Sequence, residues 1–589
     1  HYTDQFNKVT DLIGSLNAQL DIWGGLKYKL SLSGNYSNKH NYTHTPEYYT
    51  KWNSDGTPDK DYGNTRNSVS ETRGEEFTYT IDNLLTYNKT FNRHSIDALL
   101  GTSWMREYYR YMTNSTINDL GGTDITGFQN EDGKISAGDS NAALLSFFAR
   151  VNYDYDNKYL LSLSIRRDES SKFHKDNRVG YFPSVSAGWN VHQEKWFQNP
   201  VMSKLKIRAS YGELGANFLN PYNFDAIAYG PIPYTVGGER YVTGRAAYLK
   251  SKDLKWETAK TTDIGIELGF FNNDLTLSLD YFVKKNVDLL AQIDLNLSSG
   301  QIFEINSSRE KPYVNTASVK NTGWEFMMNY RKQLTKDFHI DATFNIATLK
   351  NKVLSLGENV QPITSGAMSS YFNDAPSITM PGEAIGSFYG YKIDGFDAEG
   401  NFIFADMDKN GVVNANDKVI LGSPIPDFTY GLNINMEYKD FDLTLFFQGV
   451  QGNDIFNQKK YTYYFDYSNN VVKEAMNGWT KTNRNTGIPI MKTQNTSGGN
   501  SLPSEFYIED GSYLRLKNLQ LGYSLPKKWL EAIRFNKLRV YAGVQNLFTL
   551  TKYSGYDPEV SSNVLFSRGI DISSYPNART FTFGFNASF

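Results

Sequence analysis

The last eleven residues of the chain alternate between apolar and small or polar side chains. Phe581, Phe583, Phe585, Ala587 and Phe589 occupy every second position, and threonine, glycine, asparagine and serine fill the positions between them. Successive side chains of a β-strand point to opposite faces, so this segment predicts a strand with one apolar and one polar face. Chain ends usually fray, and a soluble protein seldom carries an aromatic stripe there. The pattern therefore indicates an environment that stabilises an exposed apolar face.

The same period of two recurs along the chain in runs of about ten residues joined by tight polar turns. Apolar positions alternate in segments 147–155, 161–165, 264–270, 275–281, 428–438, 441–447 and 538–544. Long stretches rich in Gly, Asn, Ser, Tyr and Pro lie at 39–73, 113–142, 216–260, 287–312, 354–426 and 455–505. Short turns at one end and long loops at the other are typical of an all-β, antiparallel transmembrane barrel. We expect about 17 or 18 strands by this pattern, and one short helix at 527–533.

Composition supports a membrane barrel without proving it. Aromatic residues make up 15% of the 589 residues, yet the mean hydropathy is -0.51. We find no apolar run near the roughly 18 residues of a membrane helix. The net charge of -3 argues against a nucleic-acid binder, and the absence of cysteine excludes disulfides. A large secreted β-sandwich array remains the alternative on composition.

The sharpest local motif is DMDKNGVVNAND, residues 406–417. Its spacing fits a calcium-binding loop with aspartate in the last position, where glutamate is usual. The predicted ligands of a structural Ca²⁺ are Asp406, Asp408, Asn410, the carbonyl of Val412, and Asp417. Gly411 permits the sharp turn between them. The alternative is a polar loop in which these side chains only form Asx turns.

Other candidate chemistry is weak, and the sequence predicts that the protein is not an enzyme. It contains no nucleophile-elbow, zinc-protease, Walker A or paired-cysteine motif. The charged run 166–168 is interpreted either as paired charges inside the barrel or as a guide for an anionic solute. Loop tyrosines at 229, 234 and 241 and the aromatic run 461–467 suit sugar stacking, an interface girdle or a protein contact equally well.

Several stretches resemble one family, the SusC/RagA type of TonB-dependent transporter. The resemblance covers at least three quarters of the chain, in order, although most of it is barrel wall. The segments are LLSFFARVNYDYDNKYLLSLSIRRDESSKF (144–173), VGYFPSVSAGWNV (179–191), LKWETAKTTDIGIELGFFNNDLTLSLDYF (254–282), NTGWEFMMNY (321–330), PDFTYGLNINMEYKDFDLTLFFQGVQGNDIFN (426–457), YLRLKNLQLGYSLPKKWL (513–530), LRVYAGVQNLFTLTKYSGYDPEV (538–560) and YPNARTFTFGFNASF (575–589).

The resemblance implies a 22-stranded barrel in the outer membrane of a Gram-negative bacterium, closed by an N-terminal plug. It also implies three partners besides the lipid bilayer: a SusD-like surface lipoprotein, TonB, and an oligosaccharide or oligopeptide substrate. No plug or TonB-contacting segment is recognisable here, so we interpret residues 1–589 as the C-terminal part of the barrel. We then expect the first strand to pair with a segment outside this sequence, not with the last strand, because open edges are not tolerated in lipid.

Two other functions remain open. A passive porin or structural outer-membrane barrel would have the same wall, and pairing between residues 12–23 and the C-terminal strand would favour it. A secreted β-rich glycan-binding protein or hydrolase is disfavoured, because no paired carboxylates stand on a recognisable catalytic motif.

Overall fold

The computed structural model describes most of the chain. The described residues are 3–64, 67–117, 134–222, 224, 228–237, 239–246, 251–292, 304–305, 308–309, 313–357, 360–366, 374–465, 471–491, 499–532, 535–560 and 564–588.

One large antiparallel sheet forms the body of the molecule. Its strands are β1 Asp4–Trp23, β2 Leu26–Thr45, β3 Ser68–Phe91, β4 His94–Ile117, β5 Lys134–Tyr155, β6 Tyr159–Ser170, β7 Val179–Asn190, β8 Met202–Ala216, β9 Glu257–Phe270, β10 Leu275–Gln292, β11 Tyr313–Thr335, β12 Phe338–Thr348, β13 Lys350–Ser355, β14 Phe428–Tyr438, β15 Phe441–Gln451, β16 Tyr513–Ser524, β17 Lys537–Thr551 and β18 Thr580–Ser588.

These strands pair in chain order, each with the next, as in an up-and-down barrel wall. β12 and β13 are two segments of one strand, since both pair with β11 and only Leu349 separates them. The 18-stranded sheet therefore has seventeen strand positions, and the predicted count is confirmed. In the described part of the chain β1 pairs only with β2 and β18 only with β17. Completion of the wall by a further segment stays a prediction.

Short turns and long loops alternate around the wall, as the sequence predicts. The turns are 24–25, 92–93, 156–158, 191–201, 271–274, 336–337, 439–440 and 525–536, and the loops are 46–67, 118–133, 171–178, 217–256, 293–312, 356–427, 452–512 and 552–579. The predicted limits of the first two loops were wrong, because β2 runs on to Thr45 and β5 begins at Lys134. A membrane strand needs only about 9–11 residues, so the 24-residue β3 and β4 extend well beyond the hydrocarbon layer.

Large apolar side chains cover the outward face of the wall. Phe581, Phe583 and Phe585 of β18 are 60%, 81% and 71% exposed, as expected for a lipid-facing stripe, whereas Phe589 lies outside the described residues. Exposed aromatic residues also mark the short-turn end: Trp23, Phe91, Tyr159, Trp189, Trp196, Phe271, Tyr438 and Phe441. Such a ring is the aromatic girdle of a membrane interface.

The inward face carries paired charges. Arg208 on β8 lies 3.0 Å from Asp263, 2.6 Å from Asp280 and 3.3 Å from Glu267, measured between guanidinium nitrogens and carboxylate oxygens. Gly265 makes room for this cluster, because a Cβ there would lie 1.9 Å from Asp280 Oδ1. The lumen wall is therefore polar without carrying free charge at this point.

Short elements fold the long loops. The helices are α1 Lys459–Tyr464 and α2 Lys527–Ala532, and the single-turn 3₁₀ helices are Val191–Gln193, Ala415–Asp417, Lys473–Asn477, Gly499–Ser501, Glu505–Tyr507 and Leu565–Ser567. The loop strands are Tyr48–Tyr49, Gly63–Asn64, Ala228–Val236, Glu239–Ala246, Glu304–Ile305, Ser308–Arg309, Ile363–Ser365, Ser377–Thr379, Ser387–Gly390, Ile393–Phe396, Phe402–Phe404, Val419–Gly422, Asp454–Asn457, Ile508–Asp510 and Ile570–Asp571. The helix predicted at 527–533 is confirmed as α2, and the sequence gave no sign of α1.

Among the residues that the structure describes, no helix is both long and apolar enough to cross a membrane.

Candidate functional site

Three long loops, 356–427, 452–512 and 552–579, fold together into one unit, which we call the loop cluster. The strand Asp454–Asn457 pairs in parallel with Ile570–Asp571 of the last loop. Tyr391 and Ser504 form a parallel bridge between the first two loops. Ser377 Oγ donates a 2.7 Å hydrogen bond to the carbonyl of Phe566. Each loop is thus joined to both others through backbone groups.

The loop cluster has its own hydrophobic core. Phe388, Phe456, Tyr507 and Ile570 are buried, and the rings of Phe456 and Tyr507 stack with centroids 5.0 Å apart. Full burial of one such side chain contributes about 1.5–3 kcal/mol, so these four residues stabilise the unit substantially. The core places residues from all three loops in mutual contact.

The aromatic run 461–467 does not form a free sugar platform. Tyr461 on α1 and Phe465 pack against the core of the loop cluster, and residues 466 and 467 lie outside the described part of the chain. The other candidate tyrosines, at 229, 234 and 241, fall on a hairpin whose side chains also lie outside the description. The interpretation as stacking residues is therefore wrong for Tyr461 and Phe465 and untested for the rest.

Buried ion pairs hold the last loop in place. Arg515 on β16 is 2% exposed, and its guanidinium lies 2.5 Å from Asp557 and 2.8 Å from Glu559. Lys459 and Asp571 form a second buried pair, 3.0 Å apart. Because removing one partner of a buried pair leaves an uncompensated charge, these contacts tie loop 552–579 to the wall and to loop 452–512.

The carboxylate of Asp571 is strongly stabilised. Burial alone would raise its pKa, but hydrogen bonds from the Tyr553 hydroxyl and the backbone N–H groups of Ser574 and Ser573, with Lys459 beside it, hold the pKa below its ordinary value. Burial and the hydrogen bond to Asp571 correspondingly raise the pKa of Tyr553 far above its ordinary value. The sequence analysis singled out none of these groups, because each contact joins loops that are distant in the sequence.

The predicted calcium motif forms a compact turn in loop 356–427. Carboxylate oxygens of Asp406, Asp408 and Asp417 lie within 4.8 Å of one another. Two ligands on opposite sides of a calcium ion, each at ~2.3–2.6 Å, are separated by roughly that distance. The carboxylate set therefore fits the size of the ion.

Backbone hydrogen bonds shape this turn. Asp406 accepts from the N–H groups of Asn410 (3.2 Å) and Gly411 (2.7 Å), and Asp417 accepts from Met407 (2.8 Å) and Asn414 (2.7 Å). These bonds point the carboxylates of the first and last motif positions toward the same interior. Gly411 has a φ of +85°, in the left-handed region that glycine enters at little cost.

The two remaining predicted ligands serve the turn itself. Asn410 Oδ1 accepts from the Val412 N–H at 2.8 Å, and the Val412 carbonyl accepts from the Asn414 side-chain amide at 3.0 Å. Each oxygen has a second lone pair for a cation. Backbone N–H groups chiefly hold the pKa of Asp417 below its ordinary value, first that of Asn414, against the opposing effect of burial. An ionised carboxylate is the form that binds calcium.

The charged run 166–168 divides between the two faces of β6. Arg166 and Asp168 point inward and pair at 2.7 Å, and Arg166 also donates to Ser146 at 2.9 Å. Arg167 points outward, 3.0 Å from Glu169. Paired lumen charges are therefore confirmed for Arg166 and Asp168, whereas a lumen position was wrong for Arg167, since neighbouring strand residues face opposite sides.

Comparison with known proteins agrees with this wall. A family model described as "TonB dependent receptor-like, beta-barrel" matches residues 1–547. The chain is 35% identical to TonB-dependent receptor P3 of Formosa agariphila, over 90% of this chain and 53% of that protein. It is 32% identical to TonB-dependent receptor SusC of Bacteroides thetaiotaomicron, over 76% of this chain and 44% of that protein. The chain thus spans about half the length of the curated relatives it matches.

The structure of the RagAB peptide transporter has the same fold. It superposes with a TM-score of 0.83 at 22% identity, covering all of this chain and 63% of the other. The matching family is one of receptors and transporters, in line with the prediction that the protein is not an enzyme. The chain belongs to the TonB-dependent receptor-like β-barrel family of the outer membrane and resembles its SusC and RagA members.

Proposed function

We propose that this chain forms the C-terminal part of the wall of an active importer. The transporter takes up an oligosaccharide or an oligopeptide, receives energy through TonB, and works with a SusD-like lipoprotein at the cell surface. Family membership supports this proposal, and the names of the relatives, SusC and the RagAB peptide transporter, suggest the two substrate classes. An N-terminal plug and the first strands complete the barrel in this proposal.

The loop cluster is the structural observation that carries the proposal furthest. It joins three loops above one side of the wall into a unit with its own core and buried ion pairs. A barrel that only stabilises the membrane has no need of such a structure. A folded unit at the outer mouth offers a preformed surface for a solute or for a capping protein.

We further propose that the turn 406–417 binds a structural calcium ion. The carboxylates of Asp406, Asp408 and Asp417 would supply the charge, with Asn410 and the Val412 carbonyl completing the oxygen set. The fit of the three carboxylates to the ion supports this proposal. The bound ion would stiffen loop 356–427 and takes no part in catalysis.

Uptake by cells of the native host tests the transport proposal. Labelled maltooligosaccharides and labelled casein-derived peptides are offered to wild-type cells and to cells lacking the gene, with and without a protonophore. Active import predicts that one probe class enters wild-type cells, and that uptake falls to the level of the deletion strain when the proton gradient collapses. Uptake that persists after the protonophore would contradict the proposal and favour a passive porin.

A further inference from the structure

Lys459 and Asp571 form a buried amine–carboxylate pair at the junction of loops 452–512 and 552–579. Lys459 Nζ lies 3.0 Å from Asp571 Oδ2, with the two side chains 3% and 1% exposed. Backbone pairing fixes both residues, because Asn457 lies opposite Asp571 in a parallel ladder and Lys459 begins α1 two residues later. The two groups are thus held together by the fold and shielded from water.

The carboxylate is surrounded as an acyl group is in a catalytic site. Asp571 Oδ1 accepts the backbone N–H groups of Ser573 at 3.0 Å and Ser574 at 2.9 Å. Tyr553 donates its hydroxyl to Oδ2 at 2.6 Å. Two N–H donors on one oxygen stabilise a tetrahedral oxyanion, and a hydroxyl on the other can pass a proton to a departing oxygen. The same donors hold the carboxylate in the reactant pair.

The amine is close to the carboxylate without being locked to it. Among the described residues Lys459 Nζ has no partner with hydrogen-bond angles, despite its 3.0 Å approach to Asp571. The ring of Tyr556 covers it from the other side, with the centroid 4.3 Å away. Burying two opposite charges is costly, so a reaction that removes both charges is favoured by this surrounding.

We propose that Lys459 and Asp571 condense into an intramolecular amide. The ammonium gives one proton to the carboxylate, and the neutral Nζ attacks Cγ, so that the oxyanion forms on Oδ1. Collapse of this intermediate breaks the Cγ–Oδ2 bond, and Oδ2 leaves as water with two of the three ammonium protons. The amide keeps the third proton. The atoms and charges of the ion pair thus give the amide and one water, and no further reagent is needed.

The bond would join two surface loops permanently. The sequence contains no cysteine, so disulfides cannot link its loops. An amide at this point would resist reduction and would keep the loop cluster closed when one loop is cut by a protease. The proposal is independent of the transported substrate.

Intact-mass measurement of the full-length protein from outer membranes tests the proposal. The wild-type mass is expected to be ~18 Da below the sum of its residues, the mass of one water. Proteolysis followed by tandem mass spectrometry should recover a branched peptide joining positions 459 and 571. Lys459→Met should restore the full mass of its own sequence.

Two further variants separate chemistry from packing. Lys460→Met removes the neighbouring amine, which pairs with Glu509 at 2.9 Å, and should keep the deficit of one water. Tyr553→Phe should slow formation of the branched peptide after synthesis, measured by pulse labelling, because the proton donor to Oδ2 is lost. A wild-type mass equal to the unmodified sum, with no branched peptide, would show that Lys459 and Asp571 form only an ion pair.

Discussion

Asp408 offers a direct test of the calcium hypothesis. It contributes one of the three carboxylates that come within 4.8 Å of one another, and it is exposed, so its loss leaves little packing defect. We expect Asp408→Ala to weaken calcium binding at least ~10-fold, since affinity in such loops follows ligand charge. Calcium titration by isothermal calorimetry of the purified full-length protein measures the effect.

The control for this variant is Asp394→Ala, which removes an exposed carboxylate from the same loop outside the motif. Its calcium affinity should equal that of the wild type. Chelation should also increase hydrogen exchange at 406–417 before it affects the wall, because a bound ion stabilises only the state that holds it. Equal affinities of both variants and the wild type would return the motif to an ordinary polar turn.

Phe583 tests the membrane orientation of the last strand. It is 81% exposed on the apolar face of β18, whereas Thr582 lies on the opposite face. We expect Phe583→Arg to destabilise the folded barrel by ~2–4 kcal/mol, the cost of arginine on the lipid face near the midplane. Thr582→Arg, the matched control, should cost much less. Urea unfolding in lipid vesicles compares the two, and equal losses would contradict the assignment of faces.

Single residues show how far sequence reasoning reached. The alternation from Phe581 onward defined the lipid face correctly, because period two depends only on local geometry. The turn at 406–417 was also readable, since its groups are neighbours in the chain. Lys459 and Asp571 were not, because burial beside a partner from another loop leaves no local pattern.

At the scale of elements, Gly265 of β9 decides whether the ion cluster on the lumen wall forms. A methyl group there would meet Asp280 Oδ1 at 1.9 Å and the Arg208 guanidinium carbon at 3.0 Å. We expect Gly265→Ala to destabilise the wall by ~1–3 kcal/mol, as overpacking usually does, and to displace the pairing of Arg208. Thermal unfolding in detergent micelles measures the loss.

Gly212 on the neighbouring strand β8 provides the control. A methyl group at this position would meet the Ser184 Cβ at 3.4 Å, an ordinary contact. Gly212→Ala should therefore leave the midpoint of thermal unfolding nearly unchanged. If the two alanine variants unfold at the same temperature, close packing between Gly265 and Asp280 does not stabilise the wall.

Elements were predicted well in the wall and poorly above it. Strand and turn positions followed from the period and from turn residues, because a lipid face imposes its pattern on every strand. The outer ends of β2 and β5 were missed, since beyond the membrane both faces are polar and the alternation fades. α1 was missed because its aromatic residues face a core that other loops complete.

At the scale of the whole molecule, the loop cluster is what the sequence could not show. Ser377 contacts Phe566 across 189 positions, and Phe402 contacts Asn500 across 98. Such contacts form only after the wall has brought β13 to β18 side by side, because each needs closure of a long loop. The wall is thus a local consequence of the sequence, and the loop cluster is a consequence of the wall.

The last prediction concerns how the wall closes in the full-length protein. Because the chain has no cysteine, pairs of introduced cysteines report strand neighbours without background. Gly543→Cys with Thr582→Cys joins directly opposite positions of β17 and β18 and should form a disulfide readily. Thr582→Cys combined in turn with cysteine at Ser15, Asn17 or Gln19 of β1 should not, since we propose that further strands lie between β1 and β18.

Electrophoretic mobility before and after reduction measures these disulfides in native outer membranes. The three β1 positions sample the inward face over five residues, so one of them would lie near Thr582 if the two strands were paired with similar register. A disulfide from any of them would show a wall closed by these residues alone. That result would contradict the need for further strands and would favour the passive porin, whereas crosslinking confined to the β17–β18 pair supports a wall completed by a segment outside this sequence.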